Sequence, residues 1–279
     1  MKNTTLSILG VLALGASAQA QTAWLPEVHK GSVTTAFSYS NYEKFRVGNT
    51  RLKSPTGDSV DHYSVLASVE FGLASNLALD ISSGYTWVRD DAFTGTRDSG
   101  IDDSRIGLRL GITRDEGLMP AIAVRVGAII AGNYDDGAIY SIGDGANGVE
   151  ASVLFAKTLG AGFALVGDIG FRWRDKDVPD DFFFSAGVMK SFALSGGDSI
   201  NLYAGYRDTA GQSGPDIGAP GFGTAFGFPQ VKERQQGVDF SLGYTDRGGR
   251  TYTAGYSTVV DGRNTPEREV LSLSFSVPF

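Results

Sequence analysis

The chain of 279 residues contains two histidines, and one of them stands two positions before a serine. In an extended strand His62 and Ser64 would share one face, because successive side chains alternate between the two faces. A serine activated by a neighbouring histidine can carry out acyl transfer. The spacing also arises readily by chance, so a solvated histidine at the rim of a sheet is the simpler interpretation. His29 precedes the first predicted strand.

Two acidic pairs, Asp90-Asp91 and Asp102-Asp103, lie at the predicted outer ends of strands. Together with His62 they could form the active site of a protease in which acidic and histidine side chains face each other. However, no sequence motif connects these residues. Acidic loops are usually solvated or bind divalent ions weakly. The sequence therefore predicts no metal ligand, no catalytic residue and no cofactor.

A glycine-rich segment at residues 143–148, GDGANG, superficially has the spacing of a phosphate-binding loop. Such loops capture anions because they lead into the N-terminus of a helix, whose free N–H groups point at the ligand. The residues that follow, Val149–Phe155, have the pattern of a strand instead. A dinucleotide site is therefore excluded.

Charged residues recur on the polar face of the predicted strands. They are Glu70, Asp80, Arg109, Arg125, Glu150, Asp168, Arg172, Arg207 and Asp239. Adjacent strands would place Asp80 near Arg109, and Arg125 near Glu150, and such pairing offsets the loss of water around each charge. One interpretation is a charge-paired plug that fills a barrel. The other is a narrow polar channel, for which the many glycines and serines of the same face would leave space.

The elements that must position these charges are strands with a two-residue period. Tyr63, Val65, Val69 and Phe71 are apolar, and the residues between them are mostly polar. Twelve such segments follow one another, from the one containing Val33 to the one ending at Phe279. Each has about ten residues, which suits a tilted strand that crosses a bilayer. Tight connections alternate with generally longer ones rich in Asp, Gly and Pro, as in outer-membrane barrels.

The longest connection, Thr209–Glu233, carries Phe222, Phe226 and Phe228 among glycines and prolines. Exposed phenylalanines are unfavourable in water, so we expect this loop to fold into the barrel mouth, where it could constrict the passage or offer an apolar site. A flexible loop that packs on its neighbours is the alternative.

The apolar face carries aromatic residues toward both strand ends, with aliphatic residues between them, as expected for the two interfaces of a membrane. The sequence predicts an all-β protein, a transmembrane antiparallel up-and-down barrel of about twelve strands. In a soluble barrel the apolar residues would point inward instead. Phe275, Val277 and Phe279 continue the alternation to the last residue. This ending resembles the C-terminal signal that the outer-membrane assembly machinery recognises.

Residues 1–20 have the features of a signal peptide, with Lys2, a short apolar run and Ala18-Gln19-Ala20 before the predicted cleavage site. Residues 21–279 form the predicted barrel. The chain has no cysteine and a net charge of −7 without a basic patch, which argues against nucleic acid as a partner. Glycine is abundant, with 38 residues, but without the period of collagen.

From Trp24 to Phe279 the chain resembles the outer-membrane transporter family named after the meta pathway of phenol degradation. The resemblance rests on Trp24-Leu25-Pro26 before the first strand, on residues 103–110 (DSRIGLRL) and on Phe279. It implies a transport barrel in the outer membrane of a Gram-negative cell, with small aromatic or other hydrophobic compounds as the candidate solutes. Expected partners are outer-membrane lipid, lipopolysaccharide, the assembly machinery and a small-molecule solute. The alternatives are an outer-membrane lipid-modifying enzyme or protease, and a plugged structural barrel.

Overall fold

The computed structural model describes residues 22–279, so the predicted signal peptide and its cleavage site lie outside the described residues. The described chain contains fifteen strands and one short 3₁₀ helix, Phe228–Gln230. The strands are β1 (Gly31–Tyr42), β2 (Lys44–Val47), β3 (Thr50–Lys53), β4 (Val60–Ala74), β5 (Leu77–Asp90), β6 (Arg97–Ile101), β7 (Ser104–Thr113), β8 (Ala121–Ile130), β9 (Gly148–Gly160), β10 (Phe163–Arg174), β11 (Asp181–Ala193), β12 (Ser199–Gly211), β13 (Arg234–Thr245), β14 (Thr251–Arg263) and β15 (Glu269–Pro278). No helix in this part of the chain is long and apolar enough to cross a membrane.

Thirteen strands form one antiparallel sheet that closes on itself. Its order is β4-β1-β15-β14-β13-β12-β11-β10-β9-β8-β7-β5-β6, and the pairing of β4 with β5 completes the ring. Strands β6 and β7 both pair with β5 and occupy one position in the ring, separated by Asp102 and Asp103. Strands β2 and β3 form a separate hairpin. The prediction of a twelve-strand barrel is confirmed.

The two faces of each barrel strand differ in polarity and in exposure. In β8, Arg125 is only 3% exposed, whereas the neighbouring Val126 is 53% exposed. The same alternation runs through the other barrel strands, so the apolar side chains form the outer surface and the charged ones point into the barrel. An apolar exterior of this size is stable only in a bilayer. The protein is therefore a membrane-spanning barrel.

The barrel closes where the first strand meets the last. Gly31 and Phe279 exchange two backbone hydrogen bonds, of 3.0 and 2.9 Å. The ring of Phe279 stacks on Phe71 with 6.0 Å between ring centroids. Phe275, Val277 and Phe279 all lie on the outer surface. Their part in recognition by the assembly machinery stays a prediction.

Candidate functional site in the barrel interior

The main feature of the interior is a continuous row of alternating charges, which we call the ladder. At its lower end Arg109, from β7, forms an ion pair with Glu70 of β4 and approaches Asp80 of β5 at 3.5 Å. Asp80 also binds Arg125 of β8, at 2.8 Å between carboxylate oxygen and Nη2. Each arginine therefore lies between carboxylates from two other strands, which offsets its loss of water.

The upper half of the ladder continues in the same way. Arg125 also contacts Glu150 of β9, and Glu150 binds Arg172 of β10 at 2.9 Å. Arg172 then binds Asp181 at 3.1 Å. Arg174 binds the same Asp181 at 2.6 Å and pairs with Asp144 in the loop after β8. Because the strands are tilted, the ladder climbs from near the periplasmic end to the extracellular mouth.

The remaining predicted charges lie outside the ladder, Arg207 and Asp239 on β12 and β13, and Asp168 on β10 below Arg172. Arg207 pairs with Asp239 and donates to the Ser257 hydroxyl at 2.8 Å. Asp168 accepts a hydrogen bond from Ser185. The nine predicted charges thus divide into one continuous row and two smaller groups.

Sequence reasoning missed three members of the ladder: Arg174, Asp144 and Asp181. Extending the alternation of β10 by two residues beyond Arg172 would have found Arg174. Asp181 begins β11 directly opposite Arg172, so an earlier strand start would have identified it. Asp144 lies in an irregular loop, where no period applies.

Glycines on the inner face make room for the arginines. A Cβ atom at Gly107 would lie 2.6 Å from Nη2 of Arg125, and one at Gly237 would lie 2.8 Å from the guanidinium of Arg207. Those contacts are closer than real Cβ atoms allow. The expectation that inner-face glycines leave space for a passage is therefore wrong at these two positions, where guanidinium groups occupy the space.

The periplasmic end of the interior holds the first described residues of the chain. Ala23 is buried, with Trp24 beside it, against a cluster of inward-facing apolar side chains that includes Leu154, Val166 and Met189. The carbonyl oxygen of Thr22 accepts a hydrogen bond of 2.9 Å from Nη1 of Arg109. We call residues 22–25 the N-terminal segment. It lies inside the barrel at the foot of the ladder.

The extracellular mouth contains a cavity of about 270 Å³. Its wall combines ladder residues with the loops after β8 and β12, and it includes Arg105, Arg172, Arg174, Asp181, Ile139, Ile142, Phe228, Val231, Glu233 and Arg268. In the loop before β13, burial and the nearby charge of Asp144 raise the pKa of Glu233 to about 7. Thr265 donates a hydrogen bond to this carboxyl at 2.6 Å.

The three phenylalanines of the long loop do not all reach this cavity. Phe222 packs edge-on against Phe226 and Phe228, with ring centroids 5.7 and 5.1 Å apart. Phe228 lines the mouth cavity, together with Pro229 and Val231. The segment Phe228–Val231 thus forms part of the mouth, and a constricting role for the loop stays a prediction.

Of the residues considered for hydrolysis, Ser64 and Asp90 have structural partners, whereas Nε2 of His62 is buried without a hydrogen bond among the described residues. The expectation of a solvated histidine at the rim is therefore wrong, because the side chain points into the barrel. His62 and Ser64 are both buried on the inner face, but the Ser64 hydroxyl shares a 2.7 Å hydrogen bond with Thr86. Asp90 accepts the backbone N–H groups of Ala92, Phe93 and Thr94, and so holds the turn after β5. Within residues 22–279 no group of three or more His, Cys, Asp or Glu side chains could hold a metal ion.

The glycine-rich segment at residues 143–148 has no helix after it. It leads into β9, and the hydroxyl of Tyr134 accepts a 3.0 Å hydrogen bond from the N–H of Gly145. The segment therefore shapes the mouth loop, and the prediction that a strand follows it is confirmed.

Comparison with solved structures places the fold among outer-membrane barrels. A crystal structure of an outer membrane channel from Pseudomonas putida F1 is 14% identical, with a TM-score of 0.69, and the match covers 92% of this chain and 97% of that chain. The β domain of the Bordetella autotransporter BrkA is also 14% identical, with a TM-score of 0.51, covering 90% of this chain and all of that one. The KdgM porin is 8% identical with a TM-score of 0.47, covering 88% and 99% of the two chains. No curated protein matches this chain.

The family comparison covers most of the sequence. The model described as "Putative MetA-pathway of phenol degradation" matches residues 13–275. This span includes almost all of the barrel, the complete ladder and the mouth cavity. The chain therefore belongs to that family, and the resemblance inferred from its residues is confirmed.

Proposed function

We propose that this barrel is a channel for the passive passage of small solutes across the outer membrane, without a chemical step of its own. The observation that carries the proposal is the continuity of the mouth cavity with the ladder. Arg172, Arg174 and Asp181 line the cavity and are also ladder members. The proposed polar path from the extracellular side into the charged interior would begin at this cavity.

The size of the barrel limits what can pass. Eight-stranded barrels are filled by their side chains, whereas barrels of 16–18 strands hold a wide aqueous channel. Twelve strands lie between these limits, and here the buried arginines of the ladder occupy part of the interior. The proposed passage is therefore narrow and suited to small solutes.

The N-terminal segment distinguishes a gated channel from a plugged structural barrel. It packs inside the periplasmic end, so passage along the ladder would require residues 22–25 to move. Within the described part of the chain, a hydrogen bond from Arg109 and the packing of Ala23 and Trp24 against buried apolar side chains hold this segment. We propose that it is a movable gate rather than a permanent seal.

The proposed solute carries an apolar part. The description of the family points to compounds of phenol degradation, and Ile139, Ile142 and Phe228 are among the residues that line the mouth cavity. Apolar side chains at the mouth would favour a small hydrophobic or aromatic solute over a fully hydrophilic one.

A liposome-swelling assay tests the proposal directly. Purified protein in liposomes should admit small solutes and exclude larger ones, with rates that fall as solute size rises. Heat-denatured protein is the control. Swelling no faster than in protein-free liposomes, for every solute, would contradict the channel and favour the structural barrel.

A further inference from the structure

Two arginines at the mouth cavity lack the partners that the other arginines have. Arg172 and Arg174 are each held by two carboxylates. Arg105 and Arg268 line the same cavity, but among residues 22–279 neither forms an ion pair at contact distance, although Glu150 attracts Arg105 from a longer distance. The Nε atom of Arg268 is buried without any acceptor.

Such groups are unusual in a folded interior. A buried donor without an acceptor costs roughly 1–3 kcal/mol, and more when it is charged. Glu233 lies near Arg268, but its pKa of about 7 leaves it partly protonated near neutral pH. Arg268 stands over the ring of Tyr42, at 5.7 Å from the centroid, which orients it without neutralising it. Two cationic donor groups thus remain available to a ligand.

The other groups of the wall restrict the charge of that ligand. Asp102 is buried, and both of its carboxylate oxygens lack a hydrogen-bond donor. Asp136 also faces the cavity, while Asp103 is engaged by Tyr134 and the N–H of Gly132. Asp102 and Asp136 would repel a second negative charge on the ligand, so a dianion such as a phosphate ester fits poorly.

The apolar part of the wall restricts the rest of the ligand. Ile139, Ile142, Val178, Phe228 and Val231 line the same cavity as the two arginines. A volume of about 270 Å³ accommodates a solute of a few carbon atoms beyond its charged group. A hydrophilic anion such as acetate would leave these side chains in contact with water.

We infer that the mouth cavity is a binding site for a small monocarboxylate with an apolar body, held by Arg105 and Arg268 at its carboxylate. This inference rests on the proposed function and specifies its substrate class. The carboxylate accepts charge-assisted hydrogen bonds from the guanidinium groups, and the body contacts the apolar wall. The site would collect the solute at the mouth, next to the upper end of the ladder.

Calorimetric titration of the full-length protein in lipid nanodiscs tests the site without requiring transport. The probes are hexanoate, acetate, hexanol, hexylamine and hexyl phosphate, with empty nanodiscs to subtract partitioning into lipid. Hexanoate should bind most tightly. Equal binding of acetate would overturn the apolar wall as part of the site, and tighter binding of hexylamine or hexyl phosphate would overturn the monocarboxylate assignment.

Substitutions identify the groups that act. Arg105→Gln and Arg268→Gln should each weaken hexanoate binding by roughly tenfold, as loss of one hydrogen bond to a charged group implies. Lys53→Gln removes the same charge from an exposed strand of the outer hairpin and should leave binding unchanged. Asp102→Asn should strengthen binding, because it removes a repelling carboxylate. Since that variant gains affinity, it remains informative if an arginine variant folds poorly; unchanged or weaker binding in it would count against the site.

The two proposals fail in different ways. Hexanoate binding without solute passage would leave the site and remove the channel. Passage with no preference for hexanoate would leave the channel and remove the site.

Discussion

Nη1 of Arg109 donates a hydrogen bond to the carbonyl oxygen of Thr22 at 2.9 Å, so the lowest arginine of the ladder holds the N-terminal segment inside the barrel. The same guanidinium pairs with Glu70 through Nη2. One buried side chain therefore joins the barrel wall, the charged interior and the segment that fills the periplasmic end. This contact joins the ladder to the segment proposed as a gate.

A disulfide should lock the N-terminal segment in place. A Cβ atom at Gly111 would lie 3.0 Å from Cδ1 and 3.8 Å from Cγ of Leu25, so Leu25→Cys and Gly111→Cys bring two thiols within bonding reach. The chain has no other cysteine. The oxidised double variant should conduct less than the same protein after reduction.

The two single-cysteine variants are the controls, and neither should respond to reductant. Equal conductance before and after reduction, with the disulfide verified by mass spectrometry, would show that the N-terminal segment does not gate the channel.

Removing the central arginine of the ladder should destabilise the barrel strongly. Arg125→Met leaves Asp80 and Glu150 without their shared cation, and breaking a buried ion pair in this way costs about 3–5 kcal/mol. Denaturant unfolding of the protein in liposomes measures the difference. Arg250→Met, which breaks an exposed pair with Asp246 in a periplasmic turn, should change stability little. Similar effects of the two substitutions would contradict a structural role for the ladder.

An added methyl group beside the ladder should also be unfavourable. Gly107→Ala places a Cβ atom 2.6 Å from Nη2 of Arg125 and 2.7 Å from a carboxylate oxygen of Asp80. Such overpacking typically costs about 1–3 kcal/mol. Gly243→Ala is the matched control in another strand, since its closest neighbour, the Thr253 hydroxyl, lies at 3.4 Å. The same unfolding assay should separate the two variants, and equal stability would show that the interior has space beside Arg125.

The sequence sufficed for the barrel and for much of the ladder because both depend on the two-residue period. The two-residue period alone places Asp80, Arg109, Arg125 and Glu150 on the inner face. The order of the strands then makes these residues neighbours. The two-residue period does not predict which ion-pair partner each charged residue has, because that depends on the tilt of the strands. Arg105 and Arg109 lie on the same face of β7, yet only Arg109 is paired.

The parts that sequence could not predict lie where no period applies. Residues 22–25 form no strand, and only the fold shows that they enter the barrel. Asp144 reaches Arg174 from an irregular loop. In the sequence, the glycines beside Arg125 look the same as glycines that would line an open passage, since both occupy inner-face positions. Only the structure shows that a guanidinium group lies beside them.

The stability of the mouth should depend on pH through Glu233. Its pKa of about 7 lies above the ordinary value of 4.5, so the folded protein binds this proton more readily than the unfolded chain does. The contribution of Glu233 to stability is therefore present at acid pH and is lost as the pH rises toward about 7. Glu233→Gln should gain stability over the unsubstituted protein at pH 8 and much less at pH 4.5.

Unfolding midpoints of the two proteins at both pH values provide the measurement. Gln can still accept the hydrogen bond from Thr265, so the comparison isolates the charge. A difference between the two proteins that stays constant with pH would contradict the raised pKa.

Single-channel recording in planar bilayers tests the central claim most directly. Purified protein should produce discrete, small conductance steps in neutral salt, in keeping with a narrow passage beside the ladder. Bilayers that contain inserted, folded barrels and yet remain silent, both before and after deletion of residues 22–25, would contradict the channel and identify the barrel as a closed structural element.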